Sequence, residues 1–322
     1  MKRVLLLIMV FTLSWNVVAQ NERLVVFWNV ENFFDYIDQG TGESDTEWSF
    51  KGSRRWTKKR FQAKCDAMAK GLLWIGDRYG RMPDMIGLAE VENRGALKRL
   101  LDETLLRKCD YRVVHHDSGD RRGIDVTLLY RDSLFDMESW SVATPEYEGM
   151  KLATRDILQV SLVDTMGHKI NMIVNHHPSK YGGSEASVGR RDATMKTLRH
   201  ICDSLTAVNE GVPIVAMGDF NDTPDGAQFG YIDGMLVNKA DSLFDAGRGT
   251  IRYQGRWELI DMFMVSEDIA DYSSMEIVEI PFLMTYDKKY PGLKPLRTYS
   301  GPRYIGGVSD HCPIVLTIYA IY

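Results

Sequence analysis

The chain has 322 residues, of which 44% are hydrophobic and 26% are charged, a composition typical of globular proteins. Its net charge of −5 at pH 7 excludes the overall basic surface expected of a strong, non-specific DNA-binding protein. The four cysteines lie far apart and none forms the short pair typical of a zinc site, so we expect them to be structural or free.

The amino-terminal segment has the order of a secretory signal: Lys2 and Arg3, then an apolar run, then small residues before Gln20. The apolar run, roughly fifteen residues, is short for a transmembrane helix, which is the alternative interpretation. We therefore expect residues 1–19 to be a signal peptide and residues 20–322 to form a single exported domain, periplasmic or extracellular. No repeat or flexible linker marks a second domain.

The first half of the chain alternates predicted strands and helices. Leu24–Asn29 is a β-branched and aromatic run that predicts a buried strand with Glu31 just beyond its end. Thr57 is placed to cap a helix, and Asp84–Glu90 predicts another short strand. Asn93 should then cap a helix that carries Leu97, Leu100, Leu101 and Leu105.

The middle of the chain predicts further strands. Tyr111–His115 and Ile124–Arg131 are candidate strands on either side of a charged loop. Ile157–Asp164 and Lys169–His177 predict a hairpin, and the periodicity of Arg190–Leu205 predicts a helix.

The last third contains a short apolar strand from Pro213 that ends abruptly in Gly218, Asp219 and Asn221. Side chains two apart on an extended chain share a face, so Asp219 and Asn221 should point the same way. A calcium loop is excluded because its sixth and twelfth positions, counted from Asp219, would be Pro224 and Gly230. Leu259–Val265 and Cys312–Ile321 predict the remaining strands.

Several predicted strands are bounded by polar residues: Asn29, Glu90, His176, Asp219 with Asn221, Asp261, and Asp310 with His311. Each position alone would fit an ordinary polar turn. Together they predict one site, with the oxygen atoms of Asn29, Glu90 and Asp310 around a hard cation and with histidines and Asp219 opposite. Oxygen ligands favour Mg²⁺, Mn²⁺ or Ca²⁺ over zinc.

These motifs resemble, in order, those of the endonuclease/exonuclease/phosphatase superfamily, which includes deoxyribonuclease-like and apurinic-site nucleases, neutral sphingomyelinases and inositol-polyphosphate 5-phosphatases. The matching stretches are Trp28-Asn29-Val30-Glu31, Leu88-Ala89-Glu90, Asn175-His176, Gly218-Asp219-Phe220-Asn221, Ile260-Asp261 and Ser309-Asp310-His311. The flanking phrases resemble a bacterial exported branch. The resemblance implies a four-layer α/β sandwich, with two mixed sheets packed face to face, helices outside, and an active site at one end.

The resemblance also implies roles for the metal-binding residues. Glu90 would be the principal ligand of Mg²⁺, Mn²⁺ or Ca²⁺, with Asn29 nearby and Asp310 contributing. Glu31 stands where some relatives have an aspartate that supports a metal. The chain departs from the usual pattern at Ala89, where a glutamine is common, and at Cys312, where a larger side chain is common.

The remaining residues would carry the chemistry. By resemblance, His311 is the general base and Asp261 orients it. Asp219 and Asn221 position the attacking water and the phosphate, and His176 donates to a phosphate oxygen, although His177 beside it is a competing candidate.

We therefore expect a monomeric, divalent-metal-dependent phosphoesterase that hydrolyses phosphodiester bonds, most simply a nuclease acting on nucleic acid, with no stable membrane insertion once the signal is removed. The alternatives are an exported lipid or sugar-phosphate phosphodiesterase or phosphatase, and a non-catalytic binding protein on the same scaffold. The last is disfavoured because a protein without catalysis would be expected to lose charged groups that are costly to cluster and bury.

Overall fold

The computed structural model describes residues 22–40, 42–180 and 184–319. The predicted signal peptide lies outside these residues. The strands are β1 (Arg23–Phe33), β2 (Met85–Val91), β3 (Tyr111–His115), β4 (Asp125–Arg131), β5 (Phe135–Ala143), β6 (Glu146–Tyr147), β7 (Met150–Lys151), β8 (Ile157–Asp164), β9 (Lys169–His176), β10 (Ile214–Asp219), β11 (Val237–Asn238), β12 (Ile251–Tyr253), β13 (Arg256–Glu258), β14 (Asp261–Val265), β15 (Ser273–Ile277), β16 (Met284–Tyr286), β17 (Leu293–Pro295), β18 (Tyr299–Ser300), β19 (Arg303–Tyr304) and β20 (Ile314–Ile318).

The helices are α1 (Lys58–Arg78), α2 (Arg94–Asp102), α3 (Ser184–Val208), α4 (Asp241–Asp245) and α5 (Glu267–Ala270), with 3₁₀ turns at Leu105–Lys108, Ala227–Ile232 and Pro281–Leu283. In the part of the chain that the structure describes, no helix combines the length and the apolar character needed to cross a bilayer.

Two six-stranded sheets form the body of the protein, in the orders β15-β20-β1-β2-β4-β3 and β11-β14-β10-β9-β8-β5. Both are mixed: β1 runs parallel to β2 but antiparallel to β20, and β10 runs parallel to β9 but antiparallel to β14. The predicted α/β fold with two mixed sheets is confirmed.

The alternation of side chains along β1 explains the layers. Val25 and Phe27 belong to the core cluster shared by the two sheets, whereas Leu24, Val26 and Trp28 belong to the cluster beneath α1 and α2. Because successive strand residues face opposite sides, one apolar strand fills both layers. On the other side of the molecule, α3 contributes its own apolar residues to the core of the second sheet.

The two sheets approach closely at Gly87 of β2. A Cβ atom built there would lie 2.8 Å from Sδ of Met217 on β10, so a larger residue would have to displace the Met217 side chain. The central strands β2 and β10 therefore pack closely at this point.

Most predicted elements are observed, including the caps: Thr57 accepts a hydrogen bond from the Arg60 amide, and Asn93 from the Ala96 amide. Several boundaries were wrong, including the end of β1, which is Phe33 rather than Asn29, and both ends of β20. Helix α3 begins at Ser184 rather than Arg190, Leu105 lies beyond α2 and is 55% exposed, and β14 begins at Asp261 rather than Leu259. The four cysteines are buried and free.

Strands β5 and β15 were not predicted, and both lie at sheet edges. Most of β5 is exposed. An edge strand pairs on one side only and carries polar residues, so it lacks the apolar run that marks a central strand.

Candidate active site

The site lies where four central strands end or begin at one edge of the sandwich. Parallel strands β9 and β10 place His176 opposite Asp219, and antiparallel β14 places its first residue, Asp261, opposite Asp219 as well. An antiparallel strand starts where its neighbour ends, so residues before a strand and residues after a strand can meet at the same edge. His311 reaches the same edge just before β20.

Bulges in the β1–β2 pairing orient several of the predicted site residues. The β1–β2 register shifts between Asn29 and Phe33 on one strand and between Ala89 and Val91 on the other. Within these bulges Glu31 and Glu90 have φ angles of 49° and 65°, in the left-handed region that non-glycine residues rarely adopt. Such conformations cost on the order of 1–3 kcal/mol each and cluster at functional sites.

His311 and Asp261 form a buried pair, with Nδ1 of the imidazole 2.8 Å from Oδ2 of the carboxylate. Burial alone would lower the pKa of His311, but the charge and hydrogen bond of Asp261, together with Asp219 and Asp310, raise this pKa well above its usual range. The Trp28 indole donates to the His311 carbonyl at 3.0 Å, which fixes the backbone. The predicted pairing of the two residues is therefore present.

Asp219 sits between the two histidines. Its Oδ1 accepts from the Asn221 amide at 2.9 Å and its Oδ2 from Nδ2 of Asn29 at 3.0 Å. Nε2 of His176 lies 3.6 Å from Oδ2, and Nε2 of His311 lies 3.8 Å from it. Burial, reinforced by the neighbouring Asp261 carboxylate, raises the pKa of Asp219 to about 7.

The structure distinguishes the two adjacent histidines. His176 faces Asp219, whereas the ring of His177 packs on Phe220, with centroids 4.8 Å apart. Burial and nearby arginines hold the pKa of His176 well below its usual range, so it is neutral. Within the described residues its Nδ1 has no hydrogen-bond partner. Burial lowers the pKa of His177 to about 3.

Asn221 has a positive φ of 51° and donates from Nδ2 to the His177 carbonyl at 2.9 Å. The side-chain amide of Asn221 therefore holds the loop after β10. The His177 carbonyl also accepts a hydrogen bond from Nη2 of Arg155 at 2.6 Å.

The predicted metal residues form a second group beside this one. Oε2 of Glu90 accepts from the Asn32 amide at 2.7 Å. Glu31 uses both oxygens within the protein, one with Nε of Arg297 at 2.8 Å and one with the Thr298 amide at 3.0 Å. Burial and the Asp310 carboxylate raise the pKa of Glu31 to about 7.

Two cations balance these carboxylates. Nη2 of Arg297 lies 2.8 Å from Glu31 and 3.2 Å from Oδ2 of Asp310. Lys64 is buried and donates to the Glu31 carbonyl and, at 2.9 Å, to the Thr298 hydroxyl. Burial lowers the pKa of Lys64 to about 8 despite the opposing charges of Glu31, Glu90 and Asp310.

Two carboxylates of this set are accessible to a hard divalent cation. Glu90 and Asp310 offer carboxylate oxygens on side chains that are 13% and 22% exposed, so they can be reached from solvent. Asn29 differs from the expected ligand geometry, since its Oδ1 accepts from the Glu31 amide at 3.0 Å and its Nδ2 donates to Asp219. Its ligand role, like that of Glu31, stays a prediction.

Among the described residues, two groups place three ligand atoms within 4.8 Å of one another: Asp219 with Asp261 and His311, and His115 with Asp117 and Asp125. In the second group His115 is already bonded on both ring nitrogens, to the Thr127 hydroxyl at 2.6 Å and to Asp117 at 3.1 Å. That group is accounted for by its own hydrogen bonds.

Sequence reasoning missed the basic residues of the site. Arg122 approaches Oε2 of Glu90 at 3.4 Å, and Arg155 is buried between Asp120 and the His177 carbonyl. Lys64 could have been found, because it is a lysine on the apolar face of α1, next to Phe61 in helical spacing. Arg297 carries no sequence signal, since it lies in a polar loop.

Comparisons with known proteins identify the family and a shared fold. The model of a family described as Endonuclease/Exonuclease/phosphatase matches residues 24–320. Truncated TDP2 of Caenorhabditis elegans is 16% identical with a TM-score of 0.58, covering 93% of this chain and 98% of that one. D. rerio TDP2 complexed with a single-strand DNA product is 15% identical, with a TM-score of 0.54 and coverage of 92% and 98%.

A mannosyl-6-phosphatase of Bacteroides thetaiotaomicron is 13% identical, with a TM-score of 0.58 and coverage of 91% and 98%. A search of curated proteins gave no match. At these identities the solved structures show a shared fold.

Proposed function

Because this chain belongs to the Endonuclease/Exonuclease/phosphatase family, we propose that it is a divalent-cation-dependent hydrolase of phosphate esters. The observation that carries the proposal is the buried His311–Asp261 pair, 2.8 Å apart, with Asp310 lying 3.9 Å from Nε2 of His311. A base, its orienting carboxylate and a set of oxygen ligands at one strand edge are the parts that phosphoester hydrolysis needs.

His311, in its neutral form, would accept the proton of the attacking water; a cation held at Asp310 would offset part of the carboxylate charge that raises the pKa of His311. Asp261 holds Nδ1, which leaves Nε2 directed towards Asp219 and Asp310, at 3.8 and 3.9 Å. Water then bonds to phosphorus, the bond from phosphorus to the leaving oxygen breaks, and the proton of the water passes to Nε2. Asp261 stabilises the imidazolium that results.

The phosphate would be bound by groups already placed around this base. Neutral His176 can donate one hydrogen bond, and Arg122 supplies a positive charge near it and near Glu90. A divalent cation held by Glu90 and Asp310 would supply charge neutralisation at the phosphoryl oxygens. Asp219 and Asn221 would position the water, in keeping with the mutual hydrogen bond of these residues.

Two substrate classes merit testing first. Phosphodiester cleavage of nucleic acid is the prediction made from the sequence, and one structural neighbour is described with a single-strand DNA product. Hydrolysis of a sugar phosphate is the second, since another neighbour is described as a mannosyl-6-phosphatase.

The test is a screen of the purified protein against bis(p-nitrophenyl) phosphate, plasmid DNA, sphingomyelin, inositol phosphates and hexose 6-phosphates, with and without a chelator. We expect turnover of at least one substrate that the chelator abolishes and Mg²⁺ or Mn²⁺ restores. Turnover that the chelator does not affect would contradict the cation-dependent mechanism, and the absence of turnover on every ester would contradict the function itself.

We also propose that the protein is exported. The support is the order of basic, apolar and small residues before Gln20, which lie outside the described part of the chain.

A further inference from the structure

A polar cavity of about 450 Å³ opens directly beside the carboxylate group of the active site. Glu31, Asn32 and Arg297 form one wall, and the other lining residues come from two stretches of the chain, 47–54 and 299–302. Nη2 of Arg297 also lies 3.2 Å from Asp310. A group bound in the cavity would therefore adjoin the place where the ester phosphate is expected.

Arg54 is held rigidly in the cavity wall. Its guanidinium lies over the rings of Trp48 and Tyr299, 5.4 and 5.2 Å from their centroids. Nε donates to Oε1 of Glu47 at 2.8 Å, and Nη1 donates to the Gly301 carbonyl at 2.8 Å. Within the described chain these bonds use Nε, Nη1 and Oε1, which leaves Nη2 of Arg54 and Oε2 of Glu47 to bind a ligand.

This pair suits hydroxyl groups. A hydroxyl donates one hydrogen bond and accepts others, so adjacent hydroxyls can donate to the carboxylate and accept from the guanidinium. The side chains of Arg54 and Glu47 are 28% and 38% exposed, so solvent and ligands can reach them. Ser53, at the same wall, adds a further hydroxyl 3.4 Å from Glu47.

The aromatic residues of the cavity are not free to stack on a base. Trp48 and Tyr299 are only 4% and 5% exposed. Trp48 stacks on Phe34 with centroids 5.7 Å apart. The guanidinium of Arg54 covers the rings of Trp48 and Tyr299. Recognition of single-stranded nucleic acid relies on exposed aromatic faces, and recognition of a lipid chain relies on an apolar lining. The accessible groups of this wall are charged and polar, so it suits neither.

We propose that this cavity is a subsite for the alcohol portion of the substrate, that Glu47 and Arg54 recognise its hydroxyl groups, and that the preferred substrate is the phosphate ester of a sugar or polyol. The inference rests on the proposed function, since it names the substrate class for the same site. The cavity is large enough for a monosaccharide, and its position next to Arg297 lets one molecule span both places.

The experiment compares kcat/KM for mannose 6-phosphate and glucose 6-phosphate with kcat/KM for p-nitrophenyl phosphate, and includes a single-stranded oligonucleotide. The wild-type protein should favour a hexose phosphate. Glu47→Gln, which keeps the size of the side chain, should lower the ratio of the two kcat/KM values about tenfold or more, as should Arg54→Gln, because each removes a charged partner of the hydroxyls.

Glu43→Gln is the matched control. Glu43 lies in the same loop, pairs with Arg121 on the exposed surface and is not part of the cavity, so this variant should keep the wild-type ratio. Thermal unfolding of each variant establishes that the ratio is measured on folded protein. Ser53→Ala, an exposed change, provides a third cavity variant.

The outcomes separate the two proposals. Hydrolysis of phosphate esters with a ratio that Glu47→Gln and Arg54→Gln do not change, or a clear preference for the oligonucleotide, would overturn the subsite while leaving the proposed function intact. Failure to hydrolyse any ester would overturn the proposed function, and the subsite with it.

Discussion

Replacing Asp261 with asparagine and His311 with alanine should disable the same catalytic step. The two residues share a buried hydrogen bond of 2.8 Å, and Asp261 is 1% exposed. Asparagine keeps the shape of the side chain but cannot stabilise an imidazolium by charge. If His311 is the base and Asp261 acts only through it, the second substitution should have little left to remove.

The magnitudes follow from this geometry. Loss of a general base typically lowers the rate by about 10²–10⁴, which is about 3–5 kcal/mol of activation free energy. Loss of a charged, buried hydrogen bond corresponds to about 1.5–3 kcal/mol, so Asp261→Asn alone should lower kcat roughly tenfold to 150-fold. The double variant should be about as slow as His311→Ala, which gives a coupling energy of about 1.5–3 kcal/mol.

The assay is steady-state hydrolysis of the best ester from the substrate screen, at saturating Mg²⁺, for the wild type, both single variants and the double variant. Asp132→Asn combined with His311→Ala serves as the control cycle, because Asp132 forms an exposed pair with Arg112 and should not couple. If the losses from Asp261→Asn and His311→Ala simply multiply, the two groups act separately, and Asp219 or His176 becomes the candidate base.

Glu90→Gln should abolish activity and weaken Mg²⁺ binding in a titration. The free energy of unfolding should not fall, because the substitution removes a ligand charge and no buried partner. Near wild-type turnover at saturating Mg²⁺ would refute this role. Lys64→Met should destabilise the protein by about 3–5 kcal/mol in urea unfolding, since it removes one of the two cations that balance the buried Glu31 carboxylate. Lys70→Met, on the exposed side of the same helix, should change little. Burial lowers the pKa of His177 to about 3, so at pH 5 the unfolded chain binds a proton that the folded chain does not. This group should therefore destabilise the fold by about 2 kcal/mol at pH 5 relative to neutral pH. His177→Phe should remove that part of the pH dependence measured by urea unfolding, and an unchanged slope would contradict the assignment. Mass spectrometry of the exported protein should find a new amino terminus near Gln20, and an intact Met1 chain in the membrane fraction would contradict export.

Local sequence patterns predicted the central strands and most residues of the candidate site. Apolar runs such as Leu24–Asn29 and Asp84–Glu90 can be recognised because a strand buried on both faces needs side chains that lose little by leaving water. A carboxylate or amide at the end of such a run is conspicuous, which is why Glu90 and Asp219 were found. The caps at Thr57 and Asn93 were found for a similar reason, since they depend on neighbouring residues alone.

How these residues meet depends on the pairing and packing of the strands. Asp261 faces Asp219 because β14 runs antiparallel to β10, and His176 rather than His177 enters the site because adjacent strand residues point to opposite faces. Sheet pairing between segments far apart in the chain sets both facts, and local sequence does not encode it. Arg297 was not predicted for the same reason, since its partner Glu31 lies far away in the sequence. A charged residue in a polar loop acquires a role only when folding brings its partner to it.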